Sequence, residues 1–222
     1  MIRVVIVDFD DTLIRTKEMS FEKHAAVGEY FGYALDEATF FSNYGRPWPT
    51  LIEHIFPGLA FSDFYEYLVY LERDYPFQEI EGATNTLQHL REQGIIVGVL
   101  TSDFRDSFFR RAQRVGHMTY LDSNLIFCAG DTPYTKPDGR AFLPILDRLQ
   151  SQGIGKEEMI FVGDLLTDYQ AAKEAGVHFF AVTTGFQTAN DFLRAGVSHS
   201  HILSSIAELP LRLAMYGEAQ HG

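Results

Sequence analysis

A run of β-branched apolar residues, Val4-Val5-Ile6-Val7, breaks off into Asp8-Phe9-Asp10-Asp11. No other stretch constrains the chain as much. Such a run reads as a strand buried on both faces, as in a parallel sheet. Three carboxylates within four residues at its end repel one another and raise one another's pKa. Left buried and unpaired, they are costly. A cation relieves the conflict. All-oxygen ligands suit a hard ion such as Mg2+, which keeps several waters and takes one or two carboxylates plus substrate phosphate oxygens. Taken alone, the stretch also fits an acidic turn with Asp11 or Thr12 capping a helix.

The remainder of the chain sets the bounds. Its 222 residues suit one large domain or one domain with an insertion. The formal net charge of -12, with no basic run, argues against a nucleic-acid partner, whose footprint is clustered Lys and Arg. The single cysteine, Cys128, excludes an intramolecular disulfide framework and fits a reducing compartment. It lies in the apolar run Leu125-Ile126-Phe127-Cys128, where a packing role is expected. No apolar run approaches the ~20 residues of a membrane span, and the N-terminus lacks a signal-peptide pattern. The expectation is a cytoplasmic protein with no membrane partner.

After the first strand the character changes. From Thr16 to about Tyr75, apolar residues recur at helical spacing: Phe21, Ala25 and Val27, then Phe40-Phe41, then Leu51, Ile52 and Ile55. A further aromatic-rich helix covers Phe61 to Leu71, with Ser62 or Asp63 at its start. About four helices and no strand are expected. Ser42 to Pro49 is read as a turn, because Gly45, Pro47 and Pro49 oppose helix.

From Ile80 strands and helices alternate. Strands are expected at Ile95–Leu100, Leu125–Cys128, Met159–Val162 and Val177–Val182, with a short edge strand at His201–Leu203. Helices are expected from Ala83 to near Gly94, Phe104–Val115, Arg140–Leu149 behind an Asp138 cap, Thr167 or Asp168 to Gly176, and Ile206 to about Met215. This alternation predicts an α/β fold: a Rossmann-like, doubly wound parallel sheet with an inserted α-helical cap. Residues 1–15 and 76–222 would form the core and 16–75 the cap.

In such sheets ligands gather beyond the carboxyl ends of the strands. Asp8 and Asp10, Thr101 and Ser102, Lys136, and Asp164 with Asp168 all fall there. The set suits phosphoryl transfer. Asp8 would attack phosphorus in line and form an acyl phosphate. Mg2+ held by Asp8 and Asp164 would neutralise the phosphoryl oxygens. Lys136 adds a point charge, and Thr101 offers a hydroxyl. Asp10 would protonate the leaving oxygen and then activate water.

Four segments carry a resemblance. Asp8-Phe9-Asp10-Asp11-Thr12, Val99-Leu100-Thr101, Lys136-Pro137 with Phe142, and Gly163-Asp164-Leu165-Leu166-Thr167-Asp168 stand in order along nearly the whole chain. The chain resembles the haloacid dehalogenase superfamily of hydrolases. The resemblance implies Asp8 as nucleophile and Asp10 as acid and base, with the Asp10 carbonyl also binding Mg2+. It implies Asp164 as a metal ligand, with Asp168 beside the first ligands or among them, and Thr101 and the Ser102 backbone on phosphate. The insertion resembles the small helical cap of the subfamily that includes phosphoglycolate phosphatases and β-phosphoglucomutases. In similar phosphatases a specificity loop lies at the position of Gly45-Arg46-Pro47, so Arg46 is a candidate grip on an anionic substrate. Asp11 departs from the commoner Gly.

Other residues invite and resist special readings. His199 and His201 lack further ligands at metal spacing and read as surface or edge histidines. The Phe61–Tyr75 aromatics read as cap packing. The function expected is a Mg2+-dependent phosphatase acting on a small phosphorylated metabolite, with the oligomeric state open. A sugar-phosphate mutase on the same scaffold and a non-catalytic phosphate-binding member remain as alternatives. In the similar mutases a cap histidine couples substrate binding to catalysis. Ser20 stands at that position here, and His24 lies one turn on. A receiver module also combines acids, a hydroxyl and a Lys, but at about half this length and with no cap.

Overall fold

The computed structural model describes residues 1–44, 46–73 and 77–219. In chain order, β1 (Val4–Val7) and β2 (Ile14–Arg15) precede four helices, α1 (Lys17–Tyr30), α2 (Glu37–Asn43), α3 (Trp48–Ile55) and α4 (Phe61–Leu71). Then come β3 (Gln78–Glu79), α5 (Ala83–Glu92), β4 (Ile96–Phe104), α6 (Arg105–Arg114) and β5 (Ile126–Ala129). The chain continues through α7 (Leu143–Ser151), β6 (Met159–Gly163), α8 (Leu166–Ala175), β7 (His178–Val182), α9 (Ala189–Ala195), β8 (Ile202–Leu203) and α10 (Leu209–Ala219). Contacts divide the chain into two units, Met1–Arg15 with Gln78–Gly222, and Thr16–Phe77. The expected boundary at Tyr75 lies outside the described residues, as does Gly45.

The first unit is built on a six-stranded sheet of order β5-β4-β1-β6-β7-β8, every pair parallel. It is the α/β architecture that the alternation implies. All four β1 residues are buried, which explains the unbroken apolar run. The chain leaves β1 to build both halves of the sheet, and a switch point of this kind opens a crevice at the carboxyl strand ends. Beneath it Val4, Ile6, Phe142, Ile145, Phe161 and Phe179 belong to one core cluster. A separate two-stranded ladder pairs β2 with β3, Ile14 opposite Glu79 and Arg15 opposite Gln78.

The second unit holds the four helices, with Val27, Phe40, Leu51, Ile52, Phe56 and Phe64 among its buried core. Of the α4 aromatics, Phe61, Phe64, Tyr65 and Tyr67 pack there, as their spacing implies, whereas Tyr70 is exposed. The buried face of α1 is not the apolar stripe expected. It carries Ser20, Lys23, His24, Val27 and Gly28. Lys23 Nζ donates to Glu72 Oε1 at 2.9 Å, and both side chains are buried. His24 Nδ1 lies 2.7 Å from the Ser20 carbonyl oxygen, and its ring packs against Phe40, Trp48 and Phe64.

Several boundaries differ from expectation for physical reasons. The α3 helix starts at Trp48, inside the stretch read as a turn, because a proline at N1 or N2 gives up no intrahelical hydrogen bond. Strand β4 runs on to Phe104, with an irregularity between Leu100 and Phe104 that carries Thr101 and Ser102 inside the strand. The segment after Asp138 begins as a 3-10 turn, Gly139–Phe142, before α7. Helix α9 and the β2–β3 ladder had no expected counterpart. Among the described residues, no helix is long and apolar enough to cross a membrane.

Candidate active site

The site grows from β1. The Asp8 N–H donates to the Val162 carbonyl at 2.8 Å, which extends the ladder with β6 by one residue. Since Val7 pairs with Val162 on one side and Val99 on the other, Asp8 lies between the ends of β6 and β4. Beyond it the chain turns sharply. The N–H groups of Leu13 and Ile14 both donate to the Phe9 carbonyl, and the Asp11 N–H donates to the Ile14 carbonyl. Asp11 has φ 52, the only positive φ outside glycine among the described residues. Aspartate tolerates that conformation better than most residues, and glycine best of all.

Asp8, Asp164 and Asp168 are buried and offer ligand oxygens within 4.8 Å of one another. Lys136 Nζ donates to Asp8 Oδ1 at 2.7 Å and lies 2.6 Å from Asp168 Oδ1. Asp168 Oδ2 also accepts from the Leu165 N–H at 3.0 Å, at the start of α8. Asp164 Oδ1 is buried and has no hydrogen-bond partner among the described residues. Burial pushes Asp8 up to about 7, helped by Asp168 and Asp10 and opposed by Lys136. Burial also pushes Asp164 well above the carboxylate range, and the charges of Asp168, Asp8 and Asp11 add to the push. Burial pulls Lys136 down, but Asp168 and Asp8 outweigh it and hold the ammonium above its ordinary value.

Two glycines make this crowding possible. A Cβ on Gly163 would collide with Asp168 Oδ2, and one on Gly185 would overlap the Asp164 carboxylate. The Gly before Asp164 is therefore a steric requirement.

Thr101 is buried, and its Oγ1 accepts from the Asp103 N–H at 3.1 Å. Thr101, Ser102, Cys128, Thr132, Tyr134 and Lys136 line one small pocket. Burial pushes the Cys128 thiol up to about 12, so it is an inert packing group. Arg46 is exposed and belongs to the helical unit. His199 is exposed, and the half-buried His201 packs against Phe180 with ring centroids 4.5 Å apart and the planes tilted by 30°.

Asp10 takes a different course from the other carboxylates. Its Oδ1 and Oδ2 accept from Arg111 Nη1 and Nη2 at 2.6 and 3.0 Å. The same Nη2 donates to Asp103 Oδ2, and the guanidinium lies 5.3 Å from the Phe9 ring centre. Arg111 and Asp103 are both buried. Burial pushes the Asp103 carboxyl up, against the pull of Arg111. Neither residue was singled out from sequence. The one available signal is an arginine on the buried face of α6, shared with Phe108 and Ala112.

The model of haloacid dehalogenase-like hydrolases matches residues 5–182. A Clostridium perfringens protein, provisionally named as the pyrophosphatase PpaX, is 31% identical over 79% of this chain and 81% of its own. A phosphoglycolate phosphatase of Pseudomonas putida is 34% identical, over 47% of this chain and 37% of its own length. Among solved structures, one described as a predicted phosphoglycolate phosphatase from Haemophilus somnus superposes with a TM-score of 0.81. It is 17% identical and covers 96% of this chain and 98% of its own. The chain belongs to the haloacid dehalogenase-like hydrolases, in the subfamily with a small helical insertion, and it is an enzyme of their phosphatase class.

Proposed function

We propose that this hydrolase is a Mg2+-dependent phosphatase that acts on a small phosphorylated metabolite through a phosphoaspartate at Asp8. The observation that carries this reading is the Asp8 carboxylate, gripped by Lys136 and packed beside the buried, unpartnered Oδ1 of Asp164. With their protons displaced, Asp8, Asp164 and Asp168 against Lys136 would leave two negative charges in a buried space. That donor set fits a hard divalent ion, with Asp8 and Asp164 as carboxylate ligands, the Asp10 carbonyl as a third, and Asp168 close by. When bound, Mg2+ supplies charge neutralisation for the phosphoryl oxygens.

The chain's own residues do the rest. Asp8 attacks phosphorus, and the bond to the leaving oxygen breaks as Asp10 protonates it. Water then gives a proton to Asp10 and attacks the same phosphorus, which frees inorganic phosphate and restores the Asp8 carboxylate. Lys136 balances charge on the phosphoryl oxygens and on Asp8. Thr101 Oγ1 and the Ser102 N–H bind phosphoryl oxygens at the pocket that both line. Arg46 would grip a second anionic group of the substrate.

Water as the acceptor, rather than a sugar hydroxyl, is supported by the helical unit. Burial pulls His24 down to about 4, so it stays neutral near pH 7 and is a poor proton gate. The test is inorganic phosphate release from p-nitrophenyl phosphate with Mg2+ and with a chelator. Wild type should turn over only with Mg2+, and Asp8→Asn should lose at least about a thousandfold in kcat. Near wild-type turnover by Asp8→Asn would end the covalent reading.

A further inference from the structure

Asp10 is bound in a way that does not suit its proposed chemistry. An acid must carry a proton to the leaving oxygen, and a base must keep an oxygen open to water. Here both oxygens of Asp10 face the fork of Arg111, at 2.6 and 3.0 Å. A bidentate guanidinium pair of this kind fixes a carboxylate in its ionised form and in one orientation.

The surroundings of Arg111 differ on its two sides. Asp103 is wholly inside, with its side chain 1% exposed, and it holds the same Nη2. Asp10 is the outer partner, with its side chain 31% exposed. Phe9 supports the guanidinium from its face, and Phe9 is itself locked edge-on against Phe108, with ring centres 4.7 Å apart. Arg111 and Asp103 are therefore the fixed members, and their charges offset one another. When Asp10 swings away, no uncompensated buried charge is left behind. This matters because stranding one is the main cost of breaking an inner ion pair.

We propose that Arg111 is a positioning residue that parks the Asp10 carboxylate away from the reaction, and that Asp103 is the built-in counter-ion that lets Asp10 leave. The state seen is the resting one. Turnover draws on the fraction of molecules in which Asp10 has been released, and parking lowers the effective rate by that fraction. The proposal rests on the reading of Asp10 as acid and base.

The test compares kcat/KM for an alkyl ester, glycerol 3-phosphate, with kcat/KM for p-nitrophenyl phosphate in the same preparation. The alkyl leaving group needs the Asp10 proton, whereas the nitrophenolate leaves without one. Unfolded protein lowers both values equally and drops out of the ratio. Replacing the fixed pair by apolar residues, Arg111→Met with Asp103→Leu, frees Asp10 and should raise the alkyl-to-aryl ratio at least about threefold. Asp103→Asn alone leaves the guanidinium leaning on Asp10 and should lower the ratio by a similar factor. Opposite signs from two neighbouring sites are not what a merely structural role produces. An unchanged or lowered ratio in the double variant, or an unchanged or raised one in Asp103→Asn, overturns the proposal. Asp10→Asn calibrates the reading beneath it and should lower the ratio about a hundredfold. If Asp10→Asn leaves the ratio unmoved, Asp10 is not the acid and that reading fails. If it lowers the ratio while the other variants do nothing, only the parking fails.

Discussion

Asp164 lies so close to Gly185 that any side chain there would occupy the space of its carboxylate. The Asp164 orientation is thus set by the absence of a single Cβ in the loop after β7. Gly185→Ala should rotate Asp164 and raise the Mg2+ concentration for half-maximal activity at least about tenfold, the usual scale for disturbing a ligand's support. A Mg2+ titration of phosphate release checks this, and an unchanged midpoint would free Asp164 from that steric control. The role of Gly185 was illegible in sequence because no motif surrounds it. By contrast, Asp8, Lys136, Asp164 and Asp168 were legible. Asp8 and Asp164 directly follow buried apolar strands and Asp168 lies one helical turn further on, where the backbone leaves little choice of direction, and Lys136 falls in the loop after β5 on the same rim. Arg111 and Asp103 were not, because an arginine in a helix rich in Arg110 and Arg114 reads as part of a solvated face. Its burial comes from Phe9 and Asp10, about a hundred residues earlier in the chain.

Elements were legible in proportion to their length. The long strands carry a clear apolar run, but β2 and β3 have two residues each, too few for periodicity. Helix α1 misleads for another reason, since its inner face is closed by an ion pair. Lys23 meets Glu72, the C-cap residue of α4, and so ties the first helix of the insertion to the last. Lys23→Met breaks one side of a buried ion pair, which costs about 3–5 kcal/mol. Lys23→Met should therefore destabilise the helical unit by that order, and Lys23→Met with Glu72→Leu should recover most of the loss. Denaturant unfolding of the full chain reads both. A single variant as stable as wild type would show that the pair contributes little.

At the scale of the whole molecule, the acidic cluster couples stability to pH and, on the proposed reading, would couple it to Mg2+. In the metal-free protein burial holds the Asp8 carboxyl up at about 7, above the ordinary carboxylate value of 3.8. Between those limits the folded state keeps a proton that the unfolded state has released. Stability from this group is full at low pH and is lost as pH rises through about 7. Asp164 shifts in the same direction. His24 opposes the trend, since its lowered pKa costs stability as pH falls. The clean quantity is the gain in Tm on adding Mg2+, because His24 contributes alike with and without the ion. That gain should be small at pH 5.5, where protons occupy the carboxylates, and should grow by several degrees towards pH 8, at about 2–4 °C per kcal/mol. Thermal melts with Mg2+ and with chelator measure it, and a gain independent of pH would separate the ion from Asp8 and Asp164.

The β2–β3 ladder has one more consequence. Arg15 and Gln78 are paired neighbours, and between them the chain makes its whole excursion through four helices. Topologically the helical unit is an oversized hairpin loop whose two ends are already closed by the ladder. Lengthening or shortening such a loop changes the closure entropy only logarithmically. Insertions, truncations or a wholesale exchange between Arg15 and Gln78 leave the register of the parallel sheet untouched. The architecture is modular: the segment that carries Arg46 hangs from a socket, while β1 and β6, which lead into Asp8 and Asp164, and β4, which carries Thr101, lie outside it.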